Sequence, residues 1–330
     1  MEKRKIGKSN IDASVICLGT WAIGGGPWWG DSDDQESIKA IKASVDAGIT
    51  FIDTAPAYGF GHSEEVVGKA VKGIRDKVVL STKCGLWWHG DEGTHFFDMD
   101  GYTVRRCLKP ETMRRELELS LKRLDTDYID LYITHWQEAG DSPTPIADTM
   151  GCLLDFKKEG KIRAIGASNT SLDDIREYTK NGQLDTVQER YTMLDRHLEP
   201  DYTNLCGELG VSIMAYSTLE QGLLTGKIGM DAVFSDTEYR NEIPWFKPEN
   251  RRKVLSMLSG WKDLTAKYDC TLAQLVVAWT AVQKGITFPL VGARKERHAQ
   301  ENAKAGALTI EADDIRRMRD DVETLGEPVE

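Results

Sequence analysis

The 330-residue chain carries 42 Lys and Arg against 53 Asp and Glu, for a formal net charge of −11, with 40% hydrophobic and 29% charged residues. This is the balance of a water-soluble globular protein, and it argues against nucleic acid or an anionic membrane as a partner. No apolar run approaches the ~18 residues of a membrane span, and Met1–Lys5 lacks the apolar segment of a secretory signal, so a cytoplasmic location is expected. Six cysteines are scattered without a Cys-x-x-Cys pair, which reads as reduced thiols rather than disulfides or a zinc site.

In chain order, the segment from Lys3 to Ile11 predicts a short hairpin around a Gly/Asn turn, ahead of the main strand repeats and able to plug one end of the barrel they form. Eight apolar strands are then predicted at Val15–Gly19, Thr50–Asp53, Val78–Lys83, Ile129–His135, Ala164–Ala167, Thr186–Glu189, Val211–Tyr216 and Thr287–Val291. Helical patterns separate them over Asp34–Ala47, Ser63–Val71, Lys109–Leu124, Pro145–Lys158, Ser171–Lys180 and Pro200–Leu209. Continuously apolar strands alternating with periodic helices imply a parallel sheet buried on both faces; eight such repeats give an α/β fold, the (β/α)8 TIM barrel, in one domain over residues 1–330. Two long loops, Cys84–Leu108 and Leu219–Lys247, interrupt the alternation, and loops of that length usually carry function. Extra helices are expected within Pro248–Lys267 and Ile310–Leu325. Gly24–Gly26 lacks the spacing of a dinucleotide fingerprint and reads as a flexible loop.

Four ionisable side chains fall at strand ends or just beyond: Asp53, Tyr58, Lys83 and His135. In a parallel barrel these ends share one face, the face that carries active sites. A phenol with an ordinary pKa near ~10 is a poor acid at neutral pH; a neighbouring ammonium favours its ionised form, and a buried carboxylate keeps that ammonium charged and aimed. A histidine beside them can orient a carbonyl oxygen. Together the four suit protonation of a carbonyl oxygen while hydride arrives at carbon. A metal-dependent hydrolase using Asp53 and His135 is the weaker alternative, because no ligand pair has metal spacing.

The chain resembles the aldo-keto reductases from about Ile6 to Asn302. The resemblance rests on Leu18–Trp21, Phe51–Gly59, Ser81–Lys83, Ser120–Leu124, Tyr128–Leu131, Gly160–Asn169, Ala215–Ser217, Gly222–Leu224 and Val291–Arg294, and is strongest to bacterial members and to the potassium-channel β-subunit branch. It implies Tyr58 as general acid/base, Lys83 as the group that lowers its pKa, Asp53 as the support of Lys83, and His135 as the group that orients the carbonyl. It implies NADP(H) as cofactor, with NAD(H) possible, and no metal. Gly19, Thr20, Trp21 and Asp53 would border the cofactor, and Tyr216 would stack on nicotinamide. Ser168, Asn169 and Gln188 would hold the carboxamide, and Ser217, Leu219, Gly222 and Leu224 would follow the pyrophosphate. Gly292, Arg294, His298, Glu301 and Asn302 would hold the adenosine end, Arg294 taking the 2′-phosphate, with Arg297 or His298 as the alternative. The potassium-channel branch also brings a second reading, a nucleotide-sensing regulatory subunit.

Seven of nine tryptophans fall at the expected site face. Trp28, Trp29, Trp87, Trp88 and Trp136 are the substrate candidates, since indoles offer broad apolar faces and an N–H donor to a sugar, cyclic polyol or aromatic carbonyl. Trp261 and Trp279 lie on predicted helices. The expected partner is a small carbonyl or polyol substrate, with a homo-oligomer as a further possibility.

Overall fold

Residues 1–235 and 238–329 are described in the computed structural model. The chain opens with an antiparallel hairpin of β1 (Lys3–Lys5) and β2 (Asp12–Ser14). Its Ile6, Ile11 and Ala13 pack with Phe51, Leu131, Ile133, Met214 and Phe288. Phe51 and Phe288 begin their strands, so the hairpin closes the amino-terminal end of the barrel, as the sequence predicts. Fully burying each such aliphatic or aromatic side chain is worth about 1.5–3 kcal/mol.

The barrel strands are β3 (Cys17–Gly19), β4 (Phe51–Asp53), β5 (Val79–Cys84), β9 (Ile129–Thr134), β10 (Ile162–Ser168), β11 (Thr186–Arg190), β12 (Ser212–Tyr216) and β13 (Phe288–Gly292). They close in chain order, every pair parallel, with β13 hydrogen-bonded back to β3. This is the predicted (β/α)8 barrel. Around it lie α1 (Asp34–Asp46), α2 (His62–Val71), α3 (Pro110–Leu124), α4 (Ile146–Lys158), α5 (Leu172–Asn181), α6 (Asp201–Leu209), α7 (Pro248–Ser259), α8 (Lys262–Lys267), α9 (Leu272–Ala281), α10 (Glu296–Ala305) and α11 (Ala312–Glu323). The starts have local causes: Asp33 caps α1 by accepting from the backbone of Gln35 and Glu36, and Ser171 and Asp174 form a capping box on α5.

Two features depart from the sequence reading. The segment Cys84–Leu108 is not an irregular loop. It holds a three-stranded antiparallel sheet of β6 (Leu86–Trp87), β7 (Thr94–Met99) and β8 (Tyr102–Arg106). Asp100 and Gly101 form its tight turn, both with positive φ (51° and 79°), the backbone that an Asp-Gly pair favours in a hairpin. The second is α9, for which the pattern assigns no bounds. All but its first residue are buried, so it shows no amphipathic period to read.

Strand alternation places the functional groups. In β5, Ser81 and Lys83 point into the barrel, where Ser81 Oγ donates to Asp53 Oδ1 at 3.0 Å. Thr82 points outward and donates to the buried Glu64 of α2 at 2.6 Å, which Arg123 of α3 also binds at 2.6 Å. The outward contact docks α2 behind the Tyr58 turn while the inward one shapes the site.

Candidate active site

The carboxyl ends of the barrel strands and the loops beyond them enclose a cavity of about 910 Å³. At its base Lys83 Nζ donates to Asp53 Oδ2 at 2.7 Å, to the Thr54 carbonyl at 2.8 Å and to Tyr58 Oη at 3.2 Å. Lys83 is fully buried, and Tyr58 and His135 line the cavity with ring centroids 5.8 Å apart and planes at 83°. The four predicted side chains therefore meet at one place.

Their electrostatics arise from burial. The Asp53 carboxylate and the Tyr58 oxygen outweigh the burial that works to lower the Lys83 pKa, and they hold it above the ordinary lysine value. Burial pushes the Tyr58 phenol up; Lys83 pulls it back without cancelling that push, and Asp53 adds to the rise. Lys83 thus pulls the Tyr58 pKa down, as expected, but desolvation is the larger effect, so the net direction is upward and the phenol keeps its proton at neutral pH. Burial, with Lys83 nearby, holds His135 well below its usual range, so the imidazole is neutral and presents one N–H donor.

A hydrogen-bonded chain runs from this base along the cavity. Gln188 Nε2 donates to Asp53 Oδ1 at 2.9 Å, and Ser168 Oγ donates to the Gln188 carbonyl at 2.6 Å. Asn169 Nδ2 donates to the His135 carbonyl at 2.8 Å and to Ser168 Oγ at 3.2 Å, while Tyr216 Oη donates to Asn169 Oδ1 at 2.8 Å. Asn169 and Ser217 hold positive φ (55° and 63°), a backbone state that costs free energy and gathers at functional sites.

The donor set fits a dinucleotide. Gly19, Gly222 and Gly292 line the cavity, and a Cβ built on Gly19 projects into open space. Leu219 (φ −98°, ψ 13°) and Glu220 (φ 47°) alternate in hand in a tight turn closed by the Glu220 N–H, which donates to the Ser217 carbonyl at 2.7 Å. Beyond them Lys295, Arg297 and His298 border the cavity where α10 begins, and a helix start favours phosphate.

Of the other predicted cofactor contacts, Thr20, Trp21 and Leu219 line the cavity, whereas Leu224 is fully buried in the hydrophobic core. Glu301 and Asn302 stand behind the cavity wall. Glu301 accepts from Thr271 at 2.9 Å, and Asn302 donates to the Gly292 carbonyl at 3.1 Å. Arg294 borders the cavity, but its guanidinium donates to the carbonyls of Trp29 at 3.0 Å and Asp31 at 3.3 Å.

The tryptophans divide. Trp28, Trp29 and Trp136 line the cavity with Trp21. Trp87 and Trp88 do not: Trp87 is 2% exposed and donates its indole N–H to Glu92 at 2.8 Å, and Trp88 packs edge-on against Phe60 at 5.3 Å. Adjacent residues leaving a strand end face different neighbours, and sequence alone does not say which. In their place β7 supplies Phe96 and Phe97, which the sequence reading missed although the Asp100–Gly101 turn was a usable signal for the hairpin. Phe97 meets Trp28 edge-on at 5.5 Å, and Phe96 meets Trp136 at 5.1 Å. Tyr239 and Arg240 also reach the wall from the second long loop, where no local signal marks them.

A match to the Aldo/keto reductase family model extends over residues 15–322. The chain belongs to the aldo/keto reductase family. It is 44% identical over 327 residues to the NADH-specific methylglyoxal reductase of Escherichia coli strain K12, covering 98% of this chain and 99% of that protein. The glycerol dehydrogenase of Gluconobacter oxydans shares the fold with a TM-score of 0.86 and 34% identity, covering 99% of this chain and 97% of that one. An aldo-keto reductase from Klebsiella pneumoniae in complex with NADPH aligns with a TM-score of 0.72 and 27% identity over 100% of this chain and 98% of the other. As an aldo/keto reductase the chain is an oxidoreductase that interconverts carbonyls and alcohols. Among the described residues no group of three or more His, Cys, Asp or Glu is placed to hold a metal ion, and no helix is long and apolar enough to cross a membrane.

One buried carboxyl beside the site titrates near neutrality. Glu189 Oε1 accepts from the Thr170 backbone at 2.9 Å, from Thr170 Oγ1 at 2.8 Å and from Tyr202 at 2.8 Å, and burial lifts its pKa from the ordinary 4.5 to about 7. The folded state therefore holds a proton that the unfolded chain releases, and stability falls as pH rises from about 4.5 to about 7. Glu189→Gln mimics the protonated carboxyl and is expected to remove about 2–3 kcal/mol of this pH dependence. Denaturant melts at pH 5 and pH 8 check it; an unchanged difference between the two would contradict the assignment.

Proposed function

We propose that this chain is a cytoplasmic carbonyl reductase that takes NADH at least as well as NADPH and acts on small oxygenated carbonyls, from three-carbon oxoaldehydes to sugar-like ketones. The observation that carries this reading is Lys83 Nζ set 2.7 Å from Asp53 and 3.2 Å from the Tyr58 oxygen, at the base of a cavity that His135 also lines. Dihydronicotinamide, when bound, supplies the hydride.

The chain's own residues do the rest. Tyr216 would lie beneath the nicotinamide, and the Ser168–Asn169–Gln188 chain would orient its carboxamide. The neutral His135 N–H and the Tyr58 hydroxyl point the substrate's carbonyl oxygen. As negative charge builds on that oxygen the Tyr58 proton moves to it, and the Lys83 ammonium stabilises the phenolate left behind. A phenol whose pKa is raised is protonated at neutral pH, the form that reduction requires. The rings of Trp21, Trp28, Phe97 and Trp136 exclude water and offer apolar faces to substrate C–H groups.

The cofactor preference draws on two facts. Arg294, the residue expected to meet a 2′-phosphate, is engaged by backbone carbonyls, and a relative at 44% identity is named NADH-specific. Steady-state rates with methylglyoxal, a sugar-like ketone and propanal, each with NADH and NADPH, test the proposal. Both oxygenated carbonyls should exceed propanal in kcat/KM, and NADH should match or exceed NADPH. Propanal as the best substrate, or a strict need for NADPH, would refute it.

A further inference from the structure

The loop after β3 carries part of the substrate wall, yet it has no regular structure from Gly25 to Asp33. Gly25, Gly26 and Gly30 hold positive φ (64°, 74° and 68°), backbone that glycine permits, and the N–H groups of Trp29 and Gly30 return to the Gly26 carbonyl at 3.2 Å and 2.8 Å as the segment's own turn. Its rings are held on the inner side, Trp29 edge-on to Trp21 at 5.2 Å and Trp28 against Phe97. On its outer side the carbonyls of Trp29 and Asp31 accept from the two terminal nitrogens of one guanidinium, that of Arg294. Arg294 lies just past β13, two residues before α10 and beside Lys295 and Arg297 of the phosphate end of the cavity.

We infer that Arg294 is a positioning residue that latches the Trp28–Asp31 segment to the β13–α10 turn, joining the cofactor seat to the substrate wall. This rests on the nicotinamide-dependent reading of the site. A planar guanidinium with donors in a fixed fork spans two carbonyls, whereas a lysine ammonium is a single point of attachment. The latch has two consequences. Arg294 serves NADH and NADPH alike, because its donors grip the protein rather than a 2′-phosphate. A change at Arg294 also reaches the carbonyl substrate, which never touches it, through the displaced Trp28 and Trp29.

The test uses Arg294→Met and Arg294→Lys, first in the protein without cofactor. Amide hydrogen exchange of the 26–33 segment should quicken at least tenfold in Arg294→Met and by less in Arg294→Lys, with exchange in the barrel strands unchanged. Tryptophan fluorescence titration should show NADH and NADPH weakened by factors within about threefold of each other. The KM for methylglyoxal should rise at least fivefold while kcat changes less than twofold. Unchanged exchange in the segment would overturn the latch, and so would a tenfold loss of NADPH affinity with NADH affinity intact. Should the wild type oxidise neither nicotinamide with any carbonyl, the functional reading fails, while the exchange measurement still decides the latch.

Discussion

Tyr58→Phe is expected to lower kcat for carbonyl reduction by ~10²–10⁴-fold, the usual worth of a positioned general acid, and to leave NADH affinity nearly intact. The cause is local. The Tyr58 oxygen lies 3.2 Å from Lys83 Nζ and its ring borders the cavity, so the hydroxyl acts on charge that develops on the substrate oxygen and not on the bound nucleotide. Removing one oxygen leaves the ring packing in place. The pH profile supplies a second measurement. Because burial raises the phenol's pKa, wild-type reduction should stay flat through neutral pH and fall only in the alkaline range. Alcohol oxidation, which needs the phenolate, should climb with pH over that same range. A Tyr58→Phe enzyme retaining more than about a tenth of wild-type kcat would refute the role given to Tyr58.

Lys83→Met should cost both stability and turnover. The Lys83–Asp53 pair is buried, and removing one partner of such a pair leaves an uncompensated charge, a loss of about 3–5 kcal/mol. Asp53 would keep Ser81 and Gln188 as donors but no cation. The raised Lys83 pKa sets the pH window: the pair's contribution is fully present below the ordinary lysine value and is lost only as pH rises through the raised one. Melts at pH 7 therefore read the whole effect. The double variant Asp53→Asn/Lys83→Met removes both charges and should regain much of the stability without regaining activity. If it is no more stable than the single variant, the loss does not come from the stranded carboxylate.

Local order along the chain accounts for the barrel and for the base of its site. An apolar run of four to seven residues bounded by turns is consistent with a buried strand, and eight of them alternating with periodic helices leave one simple closure. Once the strands are parallel, Asp53, Tyr58, Lys83 and His135 must emerge at one end, so this four-residue base was legible in the amino-acid order alone. The Ile6–Ile11 plug was legible for the same reason: a short apolar hairpin ahead of a barrel has one open end to cover.

Folding settles the remaining features, wherever the outcome depends on neighbours remote in sequence. Consecutive Trp87 and Trp88 read like consecutive Trp28 and Trp29, yet only the second pair lines the cavity, because the β7–β8 hairpin folds Phe96 and Phe97 into the space the first pair was expected to fill. Arg294 sits where its charge suggests a phosphate ligand, but two carbonyls more than 260 residues earlier take its donors. The direction of the Tyr58 pKa was not legible either. Its cation, Lys83, is visible in the sequence, but the burial that outweighs it is a sum over everything that surrounds the phenol, and a sum of that kind exists only once the chain has folded.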